Sequence, residues 1–172
     1  TGSMSHMPLT GQSGCDIYLG AGKDEIFYKK TAIPVDPNTG AYEVICYKES
    51  KLEDVTINLP LYNGIRAIYI GISQDAKLES PTPYTISTPI VYYGSSITQG
   101  GCASRPGNSY QGILTRWLDA DHINLGFSGS ARGEENMARY ISKLKMSAFV
   151  YDYDHNAPTT EHLEATHEKF FR

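Results

Sequence analysis

The chain has 172 residues, a formal net charge of −4 and 20% charged side chains. That length suits one ordinary domain or two small ones and can bury a core without disulfide staples. The acidic balance and the absence of a basic stripe argue against a nucleic-acid binder. No apolar run is long enough to span a bilayer and no signal-peptide pattern opens the chain, so a cytoplasmic location without membrane contact is expected.

The first residues, Thr1-Gly2-Ser3-Met4-Ser5-His6-Met7, are small and polar. Residues 1–11 are expected to form a disordered or vector-derived arm. The cysteines Cys15, Cys46 and Cys102 are odd in number and widely spaced. They suggest reduced thiols rather than a disulfide framework or a metal site. Thirteen tyrosines suit strands and polar binding surfaces alike.

From 12 to 88 the sequence predicts strands separated by turns, at 16–19, 25–29, 41–47, 54–59, 66–72 and 82–87. They are rich in Ile, Val, Tyr and Thr, and several alternate, as in Val55-Thr56-Ile57-Asn58-Leu59. Turn signals lie between them, such as Asp36-Pro37-Asn38-Thr39-Gly40 and Tyr62-Asn63-Gly64. Short strands at this spacing predict a small all-β sandwich or jelly-roll module without helices.

Three prolines, Pro81, Pro83 and Pro89, mark a junction. Beyond it, over 89–172, strands alternate with helices. A strand at 90–93 precedes a helix near 109–120, a strand at 123–127 a helix near 134–144, and a strand at 148–153 a helix near 160–171. Apolar stripes support the first two helices: Ile113, Leu114, Trp117 and Leu118, then Met137, Ile141 and Leu144. Asn108 or Ser109 can cap the first. Three strand–helix units in series predict a parallel sheet, so the fold class is α/β plus all-β.

Parallel strands bring their C-terminal ends to one edge, where open α/β sheets hold ligands. Each predicted strand ends there in a residue suited to acyl-transfer chemistry. Ser96 offers a hydroxyl nucleophile and its own N–H. Gly129 offers an N–H with no side chain in the way. Asn156 offers an amide donor. Taken singly, each is also an ordinary cap or turn residue.

Three blocks together carry a family resemblance. Gly94-Ser95-Ser96-Ile97 resembles the first block of SGNH hydrolases, the GDSL esterases and lipases, with Ser95 where that family often has aspartate. Asn124-Leu125-Gly126-Phe127-Ser128-Gly129 resembles the second block, and Asp154-His155-Asn156 the third, with Tyr153 or Asp154 where a glycine is usual. Gly14-Cys15-Asp16-Ile17-Tyr18 resembles the Gly-x-Asp-Leu-Tyr signature of a β-rich module that precedes the hydrolase in a bacterial subgroup.

The resemblance implies a flavodoxin-like parallel sheet and a serine esterase acting through an acyl-enzyme on Ser96. The N–H groups of Ser96 and Gly129 and the amide of Asn156 would hold the oxyanion. It implies no cofactor and no metal. Small esters, with acetyl esters of carbohydrates among them, are the implied substrates. The alternative is a non-catalytic carbohydrate-binding or structural interaction module with a degenerate hydrolase half.

The family's Asp-x-x-His block, which supplies the base, has no counterpart here. His6, His122, His155, His162 and His167 all sit in other contexts. Three parallel strands are also fewer than the family's usual five. The expectation is therefore the first part of a longer hydrolase, inactive by itself, with a further segment or a second chain covering the sheet edge.

Overall fold

The computed structural model describes residues 4–30 and 41–172. In the β-rich half, β1 (Asp16–Leu19), β2 (Ile26–Lys30) and β3 (Val55–Asn58) form one antiparallel sheet in the order β2-β1-β3. Central β1 does not alternate between inside and outside: Asp16, Ile17 and Tyr18 are all buried. Both of its faces are covered, because Tyr18 also packs against Gly107 of the other half.

The strands expected at 16–19, 25–29 and 54–59 thus correspond to β1, β2 and β3. Those expected at 41–47 and 66–72 are not strands. Several of their apolar residues are exposed, with Tyr47 83% and Tyr69 91% accessible. Strand propensity becomes a strand only where a neighbour offers a ladder. Among the described residues this half holds one three-stranded sheet, where the expected sandwich or jelly roll would need a second. The turn expected at 36–40 lies outside the described residues.

This half also holds a one-turn helix, α1 (Leu9–Gln12), and a 3-10 turn, Gly22–Asp24, neither of which the sequence predicted. Residues 4–11 are not a loose arm. Met7, Gly11 and Gln12 are buried, and the α1 carbonyls of Gly11 and Gln12 accept from the N–H groups of Leu61, Tyr62 and Asn63.

The second half contains β4 (Ile86–Gly94), α2 (Ser96–Gln99), α3 (Tyr110–Leu118), β5 (Ala120–Gly126), α4 (Glu135–Ile141), β6 (Ala148–Asp152) and α5 (Thr160–Phe171). The three strands are parallel in the order β5-β4-β6. Residues 82–85 are not strand, but 86–87 of the strand expected at 82–87 and the strand expected at 90–93 are one strand here, running through Pro89. Proline has no N–H for the ladder. The chain accommodates it with a register shift: Ile86 pairs with Ala120, and pairing resumes at Ile90 with His122. The Pro89 carbonyl still accepts from Ser147 N–H at 2.9 Å.

The core of this half joins Val91, Tyr93, Ala131, Ile141, Tyr153 and Phe170, with Met137 and Leu144 of the expected stripe packed against it. Helix α3 differs from expectation. Its buried residues are Gln111, Gly112 and Thr115, whereas Trp117 is 69% exposed. The surface it meets is polar. Gln111 Nε2 donates to the Thr98 carbonyl at 2.6 Å, and Thr115 Oγ1 lies 2.6 Å from His122 Nδ1. Burying those groups requires partners, and α3 supplies them from the face opposite its apolar stripe. Its N-cap is Ser109, which accepts from Gly112 N–H; Thr159 caps α5 in the same way.

Among the described residues no helix is long and apolar enough to cross a membrane.

Candidate active site

The C-terminal ends of β4, β5 and β6 are level, with Gly94 opposite both Gly126 and Asp152. The three loops that follow are stitched together. Phe127 N–H donates to the Gly94 carbonyl at 2.8 Å, and Ser95 N–H to the Asp152 carbonyl at 2.9 Å. Ser96, Gly129 and Asn156, the three site residues expected from sequence, lie on these loops.

Ser96 opens α2, directly after the strand. Ser95 is wholly buried and caps that helix, its hydroxyl accepting from Ile97 N–H at 3.2 Å. This is work an aspartate would also do, so the serine that departs from the family pattern keeps the turn. Among the described residues the Ser96 hydroxyl and its own N–H have no hydrogen-bond partner. The helix is pressed close against β5. A Cβ on Gly126 would sit 2.1 Å from the Gln99 nitrogen and 2.4 Å from its Cα. Only glycine permits that approach.

Gly129 is exposed and has φ +68°. A side chain is disfavoured there by the backbone rather than by crowding, since no atom lies within 4 Å of where a Cβ would be. Among the described residues its N–H has no acceptor. Asn156 closes the 3-10 turn Asp154–Asn156, and its Nδ2 donates to the Phe127 carbonyl at 3.1 Å. An amide nitrogen carries two hydrogens, so one remains for another acceptor. Tyr153, where a glycine is usual, has φ −111°. The turn therefore needs no left-handed residue and tolerates a tyrosine.

No histidine is hydrogen-bonded to Ser96 among the described residues. His122 lies four residues before the end of β5, and burial pushes its imidazolium down. His162 Nε2 lies 2.8 Å from the Arg132 carbonyl, and the His167 ring stacks on Tyr153 and lies tilted against Tyr151. The backbone carbonyl of His6 accepts from Cys102 Sγ. His155 is exposed on the right edge, with ligand atoms of Asp152 and Asp154 within 4.8 Å. Asp154 is exposed as well, and such clusters are common on protein surfaces without an ion.

Sequence reasoning missed the contribution of the β-rich half. A cavity of about 430 Å³ opens between residues 58–61 of that half and Gln99, Asn124 and Phe127 of the other. Asp16 fastens the two halves. Its carboxylate is fully buried and accepts from Gly107 N–H at 2.9 and 3.1 Å, while Arg105 Nε lies 3.3 Å away in ion-pair range. The Gly-x-Asp-Leu-Tyr resemblance pointed at this residue without giving it a task.

Comparison with known proteins agrees with this arrangement. Residues 87–171 match the GDSL-like Lipase/Acylhydrolase family, and residues 1–78 match the GxDLY family, the N-terminus of SGNH-hydrolase-type esterases. A crystal structure of a provisionally assigned GDSL-like lipase from Bacteroides ovatus superposes with a TM-score of 0.85 at 28% identity, over 99% of this chain. This chain spans 50% of the length of that relative. Among curated proteins there is no match. Almost the whole chain thus carries SGNH/GDSL hydrolase signatures, the GxDLY match in the β-rich half and the GDSL-like lipase/acylhydrolase match in the α/β half.

Proposed function

We propose that the protein is a serine esterase in which Ser96 is the nucleophile and the Ser96 N–H, the Gly129 N–H and the Asn156 amide form the oxyanion hole. Ser96 Oγ bonds to the acyl carbon as its proton passes to a base, and the carbonyl electron pair moves onto the oxygen. The three donors stabilise that oxygen. Collapse of the intermediate expels the alcohol, which takes up the proton, and leaves an ester on Ser96. Water then repeats the sequence and frees the acid.

The observation that carries the reading is the set of uncommitted groups on three stitched loops: the Ser96 hydroxyl, the Gly129 N–H and one Asn156 hydrogen. The proton acceptor in this reading is a histidine; among the described residues none is hydrogen-bonded to Ser96. A compact acyl ester, such as an acetylated carbohydrate, is the substrate we infer, on the similarity to GDSL-like lipases and acylhydrolases.

Hydrolysis of p-nitrophenyl acetate by the full-length protein tests this. Ser96→Ala is expected to lower kcat by about 10⁴-fold or more with little change in melting temperature. An equally active alanine variant overturns the assignment.

A further inference from the structure

Leu61 and Tyr62 belong to the β-rich half, yet they reach both loops that the proposed chemistry uses. The Tyr62 hydroxyl donates to the Ser96 carbonyl at 3.3 Å, and the Ser128 side chain is a second polar neighbour of the same phenol. The Ser96 carbonyl also accepts from Gly101 N–H at 2.7 Å. Gln99 completes a second bridge. Its Nε2 donates to the Leu61 carbonyl at 3.1 Å, and its Oε1 accepts from Ser128 N–H at 2.8 Å. The Leu61 side chain packs on Gly100, the left-handed residue that ends α2.

Residues 61–63 are themselves fixed. Their three N–H groups donate to the Gly11 and Gln12 carbonyls of α1, and Asn63 Nδ2 bonds Ser13 Oγ at 2.6 Å. Asp16 holds the same half against Gly107.

We propose that Tyr62 and Gln99 are positioning residues, through which the β-rich half sets the spacing between the Ser96 turn and the Gly129 turn. Neither supplies a donor to the proposed oxyanion hole or a group to the proposed nucleophile. Gly129 follows Ser128 directly, so a held Ser128 N–H orients the next peptide, the one whose N–H would face the oxyanion. Misplacement by a fraction of an ångström weakens a preorganised donor without abolishing binding. The β-rich half is then part of the catalytic unit rather than an appended binding module. The catalytic part of this inference rests on the esterase reading; the physical tie does not.

Two readouts on the full-length protein separate the two. In amide hydrogen exchange, Gln99→Leu is expected to speed exchange at Ser128 about tenfold, leaving Val91 and Tyr93 on β4 as protected as before. In p-nitrophenyl acetate hydrolysis, Tyr62→Phe and Gln99→Leu are each expected to lower kcat about tenfold with KM nearly constant and with melting temperatures close to wild type. Unchanged exchange at Ser128, or unchanged kcat in both variants, overturns the proposal. A uniform rise in exchange across β4, or a matching fall in melting temperature, also overturns it, because the residues would then act on stability alone. If wild type hydrolyses no ester, the function reading falls separately and the Ser128 exchange ratio decides whether the tie exists.

Discussion

Removing the Asp16 carboxylate should loosen the whole molecule, although it lies in a strand far along the sequence from the α/β half. Its oxygens are fully buried. Burial is the largest influence on the carboxyl and pushes it up, while the Gly107 N–H, the Asn58 side chain and the Arg105 and Arg116 charges pull the other way. Both arginines are committed around it. Arg105 lies over the Phe27 ring at 4.0 Å, and Arg116 lies over the Tyr18 ring at 4.4 Å while donating to the Gly107 carbonyl at 2.8 Å. Asp16→Ala would leave the Gly107 N–H and the Arg105 charge facing a void. Breaking a buried pair by removing one partner costs about 3–5 kcal/mol. At about 2–4 °C per kcal/mol for a chain of this size, melting should fall by roughly 6–20 °C. Asp16→Asn keeps the shape and sheds the cost of burying a charge, so it should lose only about 1–3 kcal/mol. Thermal melting followed by circular dichroism measures both. An alanine variant that melts within about 2 °C of wild type would show that the two halves are not fastened here.

Other substitutions test the packing around the site. Gly126→Ala drives a methyl into the Gln99 backbone at 2.1 Å and should cost about 3 kcal/mol or more in urea denaturation. Gly64→Ala, with no atom within 4 Å of the new carbon, should be near neutral in the same assay. Burial pushes His122 down, with the Asp121 charge opposing. The folded state therefore favours neutral imidazole. Its stabilising contribution is complete above the ordinary value of 6.5 and is lost as pH falls below it. The urea midpoint should drop between pH 7.5 and 5.5 by more in wild type than in His122→Gln, and parallel pH profiles would contradict this.

The elements legible in the sequence are those whose local signals and tertiary partners agree. Helix α5 carries its own cap in Thr159, and β1 sits in the middle of its sheet. The segments at 41–47 and 66–72 have the same β-forming residues as β1 but form no strand ladder among the described residues, and nothing local distinguishes the two situations. Pro89 reads as a breaker, but the β4–β5 register shift absorbs it and the strand continues. The stripe on α3 misleads because the sheet face it meets is polar. That Ser96, Gly129 and Asn156 lie at one edge was legible because strand-end residues of a parallel sheet share an edge whatever the loop details. Tyr62 and Gln99 could not, because their task exists only where two separately folded segments meet.

The most direct test of the central claim is where a fluorophosphonate probe reacts on the full-length protein, read by peptide mass spectrometry. The account predicts a single adduct on Ser96, lost in Ser96→Ala together with ester hydrolysis. An adduct on another residue, or hydrolysis that continues while Ser96 stays unmodified, would contradict it.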